Sequence, residues 1–387
     1  MDINNFLLKL LNDDGYLTNI NKQIDDIVIY LEKGYDSSTV KRKIRHKNFG
    51  LLYNMARSRI KIKNKFSLYD HIFMDNYSAR YSTPEIVGIY RSLKLKGSTI
   101  IDIGSGAGMQ SIFFGMNSNV TGIEKDKTRY LFSMLNKKSY NSDAEFINSD
   151  FFDCKIEADD AVIFSDPLRP ERASERKMDD LIPSPENILL HLNNISGYAF
   201  DIPPQMQWKN INISGEREYI SINGNINRLT IYSESISKNN TTAVMLPENK
   251  TITGTPEKFD AVIEKYRNEK FIYWADISLV YSNLVYMVND PSFRHVYHDR
   301  RRIIFSSDVF IDNFFGRKFR VLETSNQSNL VEKLRKVNAS RVYFVYSIET
   351  SDYYMVKNYI EQKLSGELKI YVFKNMDTLI LAEEYLK

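Results

Sequence analysis

The residues best suited to chemistry lie in the segment D-I-G-S-G-A-G (102–108), where glycine alternates with small residues after a short apolar run. That run, 98–103, is rich in β-branched residues, which is typical of a buried parallel strand. A second apolar run ends at Glu124, twenty residues after the first glycine of the motif. Glycines at a strand-to-helix turn let the backbone approach a ligand closely, and an acid about 20 residues further on can hold ribose hydroxyls. The segment therefore predicts a site for a nucleotide-like cofactor.

Two nucleotide-like cofactors are bound at turns of this kind. A nicotinamide dinucleotide requires the spacing G-x-G-x-x-G and a helix N-terminus directed at its pyrophosphate. Here the spacing is D-x-G-x-G-x-G, and Asp102 would repel a pyrophosphate but attract the ammonium group of a methionine moiety. The pattern resembles motif I of the class I S-adenosylmethionine (SAM) methyltransferases. Strand, glycines and acid together favour this interpretation over an ordinary glycine-rich turn.

Alternating strand and helix patterns surround the motif and predict an α/β sheet. Two of the predicted strands are followed by acids, Asp150 after the strand 145–148 and Asp166 after the strand 161–164. Because the carboxyl ends of parallel strands border the ligand crevice, we expect Asp166 beside the methyl group of the cofactor.

Length and composition limit the class of protein. The chain has 387 residues, enough for two or three domains, and 43% of them are hydrophobic, enough for real cores. Cys154 is the only cysteine, which excludes a disulfide framework and fits a reducing, cytoplasmic location. No apolar run approaches the roughly 18 residues of a membrane span, and the N-terminus lacks the features of a signal peptide. We therefore predict no membrane partner. The five histidines show no metal-ligand spacing, so we predict no bound metal either.

Positive charge is concentrated between residues 41 and 65, a stretch without a single acid, although the net charge of the chain is only +3. Apolar residues at helical spacing predict that this stretch is a folded basic helix. A charge run is usually a solvated face, but the complete absence of acids favours contact with a polyanion such as nucleic acid. The predicted RNA-binding residues are Lys41, Arg42, Lys43, Arg45, Lys47, Arg57, Arg59, Lys61 and Lys63.

Five segments, in this order, resemble one family: R-Y-S-T-P-E (80–85), D-I-G-S-G-A-G (102–108), S-D-P-L-R-P-E-R (165–172), Y-I-S-I-N-G-N-I-N-R-L-T-I-Y (219–232) and F-F-G-R-K-F-R-V-L-E (314–323). Together they resemble the class I SAM-dependent methyltransferases with a C-terminal THUMP-like domain. The resemblance implies an α/β fold with a Rossmann-like, seven-stranded methyltransferase sheet. The expected domains are an N-terminal helical, basic domain (1–75), the methyltransferase domain (76–250), a linker and ferredoxin-like segment (251–313) and a small α+β, THUMP-like domain (314–387).

The resemblance also implies roles for individual residues. The cofactor contacts that it implies are Tyr81 and Thr83 at the methionine end, Asp102 on the ammonium, Gly104, Gly106 and Gly108 in the close turn, Glu124 on the ribose, and Asp150 and Phe151 at the adenine. Asp166 would lie against the cofactor and accept a hydrogen bond or proton from the methylated nucleophile. Arg169 would orient the substrate.

True THUMP domains bind tRNA, so the resemblance and the basic helix together predict methyl transfer to structured RNA, in particular a tRNA base. The chain departs from the amino-methylating enzymes of nucleic acids, because Leu168 and Arg169 stand where those enzymes have proline and a base-stacking aromatic residue. Arg169 could bind a phosphate or a guanine edge, or form a salt bridge with Glu171 or Glu175. Two alternatives stay open: a methyltransferase for protein or a small molecule, and a catalytically weak SAM- or RNA-binding protein. The oligomeric state is not predicted.

Overall fold

The computed structural model describes residues 2–156, 158–168 and 177–385, and these divide into two units. The first unit contains Met1–Glu216 and Thr230–Lys238, and the second contains Arg217–Leu229 and Asn239–Lys387. Arg169 and both of its candidate partners, Glu171 and Glu175, lie outside the described residues.

The first unit begins with a group of helices, as the sequence predicts. They are α1 (Ile3–Asn12), α2 (Asp14–Glu32), α3 (Ser37–Lys43), α4 (Phe49–Ile62) and α5 (Asn76–Tyr81). Asp36 begins α3 because its side chain accepts a hydrogen bond from the backbone N–H of Thr39 at 2.9 Å. The apolar faces of these helices share one core with Phe113 and Leu135, which belong to the α/β part of the unit. The helical segment therefore has no separate hydrophobic core.

A parallel sheet follows, with its strands in the order β3-β2-β1-β4-β5. These strands are β1 (Thr99–Ile103), β2 (Asn119–Ile123), β3 (Glu145–Ile147), β4 (Ala161–Ser165) and β5 (Gly197–Ile202). The helices that accompany them are α6 (Glu85–Lys94), α7 (Met109–Phe114), α8 (Lys127–Tyr140) and α9 (Pro185–His191). Ile103 is level with Ile123 on one side and with Ser165 on the other. The residues that follow β1, β2 and β4 consequently emerge together at one edge of the sheet, and this is the Rossmann-like methyltransferase arrangement that the sequence predicts.

The segment 219–232 lies in two strands joined by a short turn, β6 (Glu216–Ile222) and β7 (Asn225–Tyr232). In the first unit the end of β7 lies beside β5, where the N–H of Ser233 donates to the carbonyl of Tyr198 at 2.9 Å. In the second unit β6 pairs in parallel with β8 (Thr241–Leu246), and β8 pairs antiparallel with β9 (Lys250–Gly254). The predicted linker and ferredoxin-like segment, 251–313, therefore begins with strand residues, because β9 extends to Gly254. β9 is short, half-exposed and paired on one side. Because such a strand needs few apolar residues, its sequence resembles that of a loop.

The rest of the second unit forms a seven-stranded sheet in the order β11-β12-β10-β13-β16-β15-β14. Its strands are β10 (Phe271–Ala275), β11 (Arg294–His298), β12 (Ile303–Ser307), β13 (Gly316–Ser325), β14 (Ala339–Phe344), β15 (Leu368–Asn375) and β16 (Thr378–Glu384). Its helices are α10 (Ile277–Ser282), α11 (Leu330–Lys336) and α12 (Thr350–Glu361). The α+β order predicted beyond residue 314 is confirmed. Because β10 pairs with β13, this sheet includes strands from both predicted C-terminal segments. No helix in the described ranges is long and apolar enough to cross a membrane.

Candidate cofactor site

A cavity of about 460 Å³ opens at the carboxyl edge of the sheet in the first unit. Three of the carboxylates that line it end or follow neighbouring parallel strands, Asp102 at the end of β1, Glu124 after β2 and Asp166 after β4. The other predicted cofactor residues that line the cavity are Tyr81, Thr83, Gly104, Gly106, Asp150 and Phe151. A cavity of this size with a few convergent polar groups suits a ligand as large as a nucleoside cofactor. Among the described residues, no cluster of three or more His, Cys, Asp or Glu side chains could hold a metal ion.

Two different constraints, backbone conformation and close packing, require glycine in this turn. Gly104 and Gly106 have φ angles of +77° and +59°, and a Cβ on either would meet no atom within 4 Å. They are required by the left-handed backbone, and the space beside them is open. Gly108 does not line the cavity, and a Cβ there would lie only 2.6 Å from the Cβ of Ser133 and 2.8 Å from the Phe146 ring. Gly108 is therefore required both by its left-handed φ of +82° and by this close packing, and its contact with the cofactor stays a prediction.

Asp102 is buried, and its carboxylate accepts a hydrogen bond of 2.5 Å from the Ser111 hydroxyl. Burial raises the pKa of Asp102 to about 7, and the nearby carboxylates of Asp166 and Glu124 act in the same direction. Near neutral pH this carboxyl group is therefore close to its midpoint of ionisation. A ligand cation that lay against it would favour the ionised form.

Glu124 is held in a fixed orientation. One carboxylate oxygen accepts from the backbone N–H of Gly106 at 2.8 Å, and the other accepts from the N–H of Asp126, also at 2.8 Å. The side chain that was predicted to hold a ribose is therefore connected directly to the glycine turn. Oxygens with remaining lone pairs are suited to accept hydrogen bonds from ligand hydroxyls.

Asp150 and two phenylalanines form another wall of the cavity. The Asp150 carboxylate accepts from the N–H of Phe152 at 3.1 Å, and the ammonium of Lys125 lies 3.6 Å away. Phe151 is buried, whereas 42% of Phe152 is exposed, and their ring centroids are 5.2 Å apart. Phe152 was not predicted as a site residue, although it is the second aromatic residue after the acid. Its exposure makes it the better placed of the two to stack on a planar ligand.

Tyr81 and Thr83 lie where α5 leads into α6 and line the cavity together with Tyr77. The Tyr77 and Tyr81 ring centroids are 4.7 Å apart, and the Arg129 guanidinium lies 4.6 Å from the centre of the Tyr77 ring. The sequence did not indicate Tyr77 or Arg129. The Lys65 ammonium donates to the carbonyls at the end of α5, at 2.9 and 3.0 Å, which connects this wall to the basic segment.

Gln110 is a further cavity residue that the sequence did not indicate. Its side-chain carbonyl accepts from the buried guanidinium of Arg91 at 3.2 Å. Because Arg91 has only donors, the carbonyl must face it, and the amide nitrogen of Gln110 is directed elsewhere. That nitrogen is buried and has no hydrogen-bond partner among the described residues. The sequence signal that could have indicated Gln110 is a polar residue near the start of the short, mostly apolar segment that forms α7.

The predicted catalytic residue Asp166 follows β4 directly and is half-buried at the cavity. Two residues later, Leu168 and Ile182 exchange backbone hydrogen bonds of 2.9 and 3.0 Å, and this bridge fixes the segment that leaves the strand. Arg169, the predicted substrate-orienting residue, lies outside the described part of the chain.

Eight of the nine predicted RNA-binding side chains are exposed, and the exception is Arg59. The Arg59 guanidinium is buried and donates to Asp25 at 2.8 Å and to Asn21 at 2.5 Å. It joins α4 to α2, so an RNA contact for Arg59 is wrong. The reason is that Arg59 lies on the same face of α4 as the buried residues Met55 and Ile62. Lys63 is exposed but donates to Glu32 at 2.8 Å.

Comparison with known proteins gives similarity in structure only. No family model matches the chain, and no curated protein matches it in sequence. A protein from Porphyromonas gingivalis W83, described as a candidate methyltransferase, is 15% identical, and the match covers 99% of each chain with a TM-score of 0.67. A T. thermophilus 16S rRNA N2 G1207 methyltransferase solved with AdoMet and guanosine is 13% identical over 42% of this chain and 46% of that chain, with a TM-score of 0.32. A methyltransferase from Pyrococcus furiosus is 20% identical over 46% of this chain and 96% of that chain, with a TM-score of 0.34.

The first match extends over nearly the whole length of both chains. The chain therefore has the fold of that protein, with a Rossmann-like methyltransferase sheet in its first unit.

Proposed function

We propose that the protein transfers a methyl group from SAM to structured RNA, in particular to a tRNA base. The observation that carries the SAM part is the meeting of Asp102, Glu124 and Asp166 with the glycine turn at one cavity. Each carboxylate follows or ends a different parallel strand, so the register of the sheet positions all three. The nucleic-acid part is supported by the exposed basic residues of α3, α4 and the segment between them.

The residues present fit SAM group by group. The Asp102 carboxylate suits the methionine ammonium, and the buried amide nitrogen of Gln110 suits a carboxylate oxygen. Glu124 would accept from the ribose hydroxyls, and the open space beside Gly104 and Gly106 admits the ligand against the backbone. The adenine would lie against the wall formed by Asp150, Phe151 and Phe152, with Tyr81 and Thr83 at the methionine end.

SAM supplies a methyl group that its sulfonium already activates, so the protein has mainly to position and desolvate the acceptor. Asp166 would accept a hydrogen bond or a proton from the attacking nucleophile, which strengthens that nucleophile as the new bond forms. The apolar side chains around the cavity, Phe164 and Leu181 among them, would exclude water from the reacting groups. Arg169 would orient the substrate, as the sequence predicts.

RNA is proposed as the substrate because of the positive charge on the surface of the first unit. Lys41, Arg42, Lys43, Arg45 and Lys47 are all exposed, and no ion pair involves any of them among the described residues. A small-molecule enzyme has little use for such a surface, whereas a polyanion releases counterions when it binds there. The THUMP-like character of residues 314–387, the four-segment domain division and a cytoplasmic location belong to the same proposal.

One experiment on the intact protein tests the proposal. Calorimetric titration with S-adenosylhomocysteine is followed on the same sample by radiolabelled methyl transfer to tRNA, rRNA and protein fractions. We expect binding and label in an RNA fraction. Binding with label only in protein, or in no fraction, would favour the protein, small-molecule or binding-protein alternative. No binding would contradict the assignment of the glycine turn.

The affinity for S-adenosylhomocysteine should rise with pH. The ammonium of the ligand needs the ionised form of Asp102, and burial raises the pKa of this group to about 7. Affinity should therefore increase about eightfold between about pH 6 and 7.5, since one proton must leave before binding. Calorimetry at a series of pH values measures this. Methylthioadenosine, which lacks the ammonium, should show no such dependence, and neither should Asp102→Asn; a flat profile for the native protein would contradict the role of Asp102.

Reversal of three exposed charges should weaken RNA binding. Lys41→Glu, Lys43→Glu and Arg45→Glu together should lower tRNA affinity at least about tenfold near 0.15 M salt and reduce the slope of log affinity against log salt by about 2 to 3. Filter binding across a salt series measures both quantities. The matched control reverses three exposed lysines elsewhere in the first unit, at Lys22, Lys33 and Lys96, with the same change in net charge. Equal effects of the two sets would show that only net charge matters and that this surface is not the RNA contact.

A further inference from the structure

A second cavity, of about 570 Å³, lies wholly within the second unit, where three consecutive arginines meet an indole ring. Its basic and aromatic lining residues are Arg300, Arg301, Arg302, Arg317 and Trp274. We call it the arginine cavity. Neither the cofactor site nor the basic helices involve any of these residues.

Two of the four arginines have their charges neutralised nearby. Arg302 binds Asp299 through its Nη2 at 2.5 Å and its Nε at 2.8 Å. Arg317 donates to both carboxylate oxygens of Glu384 at 2.7 Å. The Arg317 pair is bidentate, whereas both Arg302 nitrogens contact the same Asp299 oxygen, and each pair leaves little charge for a ligand.

The other two, Arg300 and Arg301, are exposed and form no ion pair with any residue in the described ranges. They lie in the turn between β11 and β12, and Asp299 fixes that turn by accepting from the backbone N–H groups of Arg301 and Arg302 at 2.8 and 2.9 Å. The backbone under these side chains is therefore ordered before any ligand arrives. Two guanidinium groups without a counter-charge on a rigid turn are suited to bind phosphate oxygens.

Trp274 provides the apolar part of the cavity. The indole is half-buried on β10, and the Arg317 guanidinium packs 5.1 Å from its ring centre. Gly224, in the β6–β7 turn, also lines the cavity, and a Cβ added there would meet only the Arg317 Cδ, at 3.8 Å. Aromatic faces stack on nucleobases with little sequence preference.

We propose that the arginine cavity binds one unpaired nucleotide of the RNA, with its phosphate on Arg300 and Arg301 and its base against Trp274. The ligand class depends on the proposed RNA substrate, but the site itself does not depend on the cofactor cavity. Asp276 also lines the cavity, and its carboxylate is occupied by the Ser278 N–H and hydroxyl at 2.8 and 2.6 Å.

Trp274 fluorescence provides a direct test, because the chain has only two tryptophans, Trp208 and Trp274. In the full-length Trp208→Phe variant the signal comes from Trp274 alone. Titration with single-stranded oligouridine should quench it saturably, since a stacked base quenches indole emission. In the same background, Arg300→Ala with Arg301→Ala should weaken binding at least about tenfold and reduce the salt slope by about 1 to 1.5. The control, Arg267→Ala with Arg341→Ala, removes two exposed arginines of the same unit and should change neither quantity.

Three outcomes would overturn the inference: no quenching by oligouridine, equal effects of the two arginine pairs, or saturation by inorganic phosphate alone with no further response to RNA. Methyl transfer to tRNA by the native protein is measured in parallel. If RNA is methylated but Trp274 does not respond, the arginine cavity fails and the proposed function stands. If Trp274 responds but no RNA is methylated, the proposed function fails and the nucleotide site stands.

Discussion

The Asp166→Ala protein should bind S-adenosylhomocysteine with native affinity, within about threefold, and should lose methyl transfer by about 10² to 10⁴-fold. The range is the usual contribution of a positioned general base. Asp166 follows β4 at the cavity edge, level with the residues that follow β1. In the proposed function the cofactor is held by Asp102, Glu124 and the glycine turn, so the loss of Asp166 removes an acceptor for the nucleophile and not the ligand site.

Two further variants, Asp179→Ala and Asp166→Asn, test whether the loss of activity is specific to the Asp166 carboxylate. Asp179 also lines the cavity, and Asp179→Ala should leave transfer within about threefold of native, because this exposed acid follows none of the parallel strands. Asp166→Asn keeps a hydrogen-bond acceptor but cannot take a proton. If Asp166 only orients the nucleophile, the Asn protein should retain most of the rate; if it takes the proton, Asn and Ala should be equally slow. Single-turnover transfer of labelled methyl to RNA measures all three rates, and an active Asp166→Ala protein would refute the assignment.

Local sequence signals predicted the elements that build the cofactor cavity. β-branched runs placed β1, β2 and β4, and the D-x-G-x-G-x-G spacing placed the turn after β1. Once strands are known to be parallel, the acids at their carboxyl ends must converge, and Asp102, Glu124 and Asp166 do line one cavity. This inference needs only residue type, order and the geometry of parallel sheets.

Features that depend on distant partners were not predictable in this way. Arg59 belongs to a run without acids, yet its partner Asp25 lies 34 residues earlier on another helix. Gln110 was not recognised because its partner Arg91 lies 19 residues earlier, on another helix. Strand β9 was taken for a linker because its pairing with β8 is what makes it a strand. In each case the deciding energy comes from a tertiary contact that one segment of sequence does not contain.

The largest expected effect on stability is at Arg91. Its guanidinium and the carboxylate of Asp201 are both 0% exposed and form an ion pair. Thr230 bridges them, accepting from Arg91 and donating to Asp201, each at 2.7 Å. Arg91→Met should lower the free energy of unfolding of the first unit by about 3 to 5 kcal/mol, because it removes the guanidinium that forms an ion pair with the fully buried Asp201 carboxylate. Urea unfolding followed by circular dichroism measures the loss.

The same change should weaken binding of S-adenosylhomocysteine, since the Arg91 guanidinium also donates to the side chain of Gln110, which lines the cavity. The double variant Arg91→Met with Asp201→Leu removes both charges and should recover at least half of the lost stability. It should not recover the affinity, because Gln110 still lacks its donor. Recovery of both quantities together would show that Gln110 does not contact the ligand.

Arg59→Met is the matched control for stability, since Arg59 is also buried, at 1% exposed. Its carboxylate partner differs: 42% of the Asp25 side chain is exposed, so water can solvate it when the arginine is lost. We therefore expect Arg59→Met to cost less than half as much as Arg91→Met. Two buried arginines with the same substitution then separate the loss of arginine packing, which is common to both, from the loss of an ion pair with a fully buried carboxylate, which occurs at Asp201 and not at Asp25. Equal losses would mean that packing, and not the burial of the carboxylate, dominates at both sites.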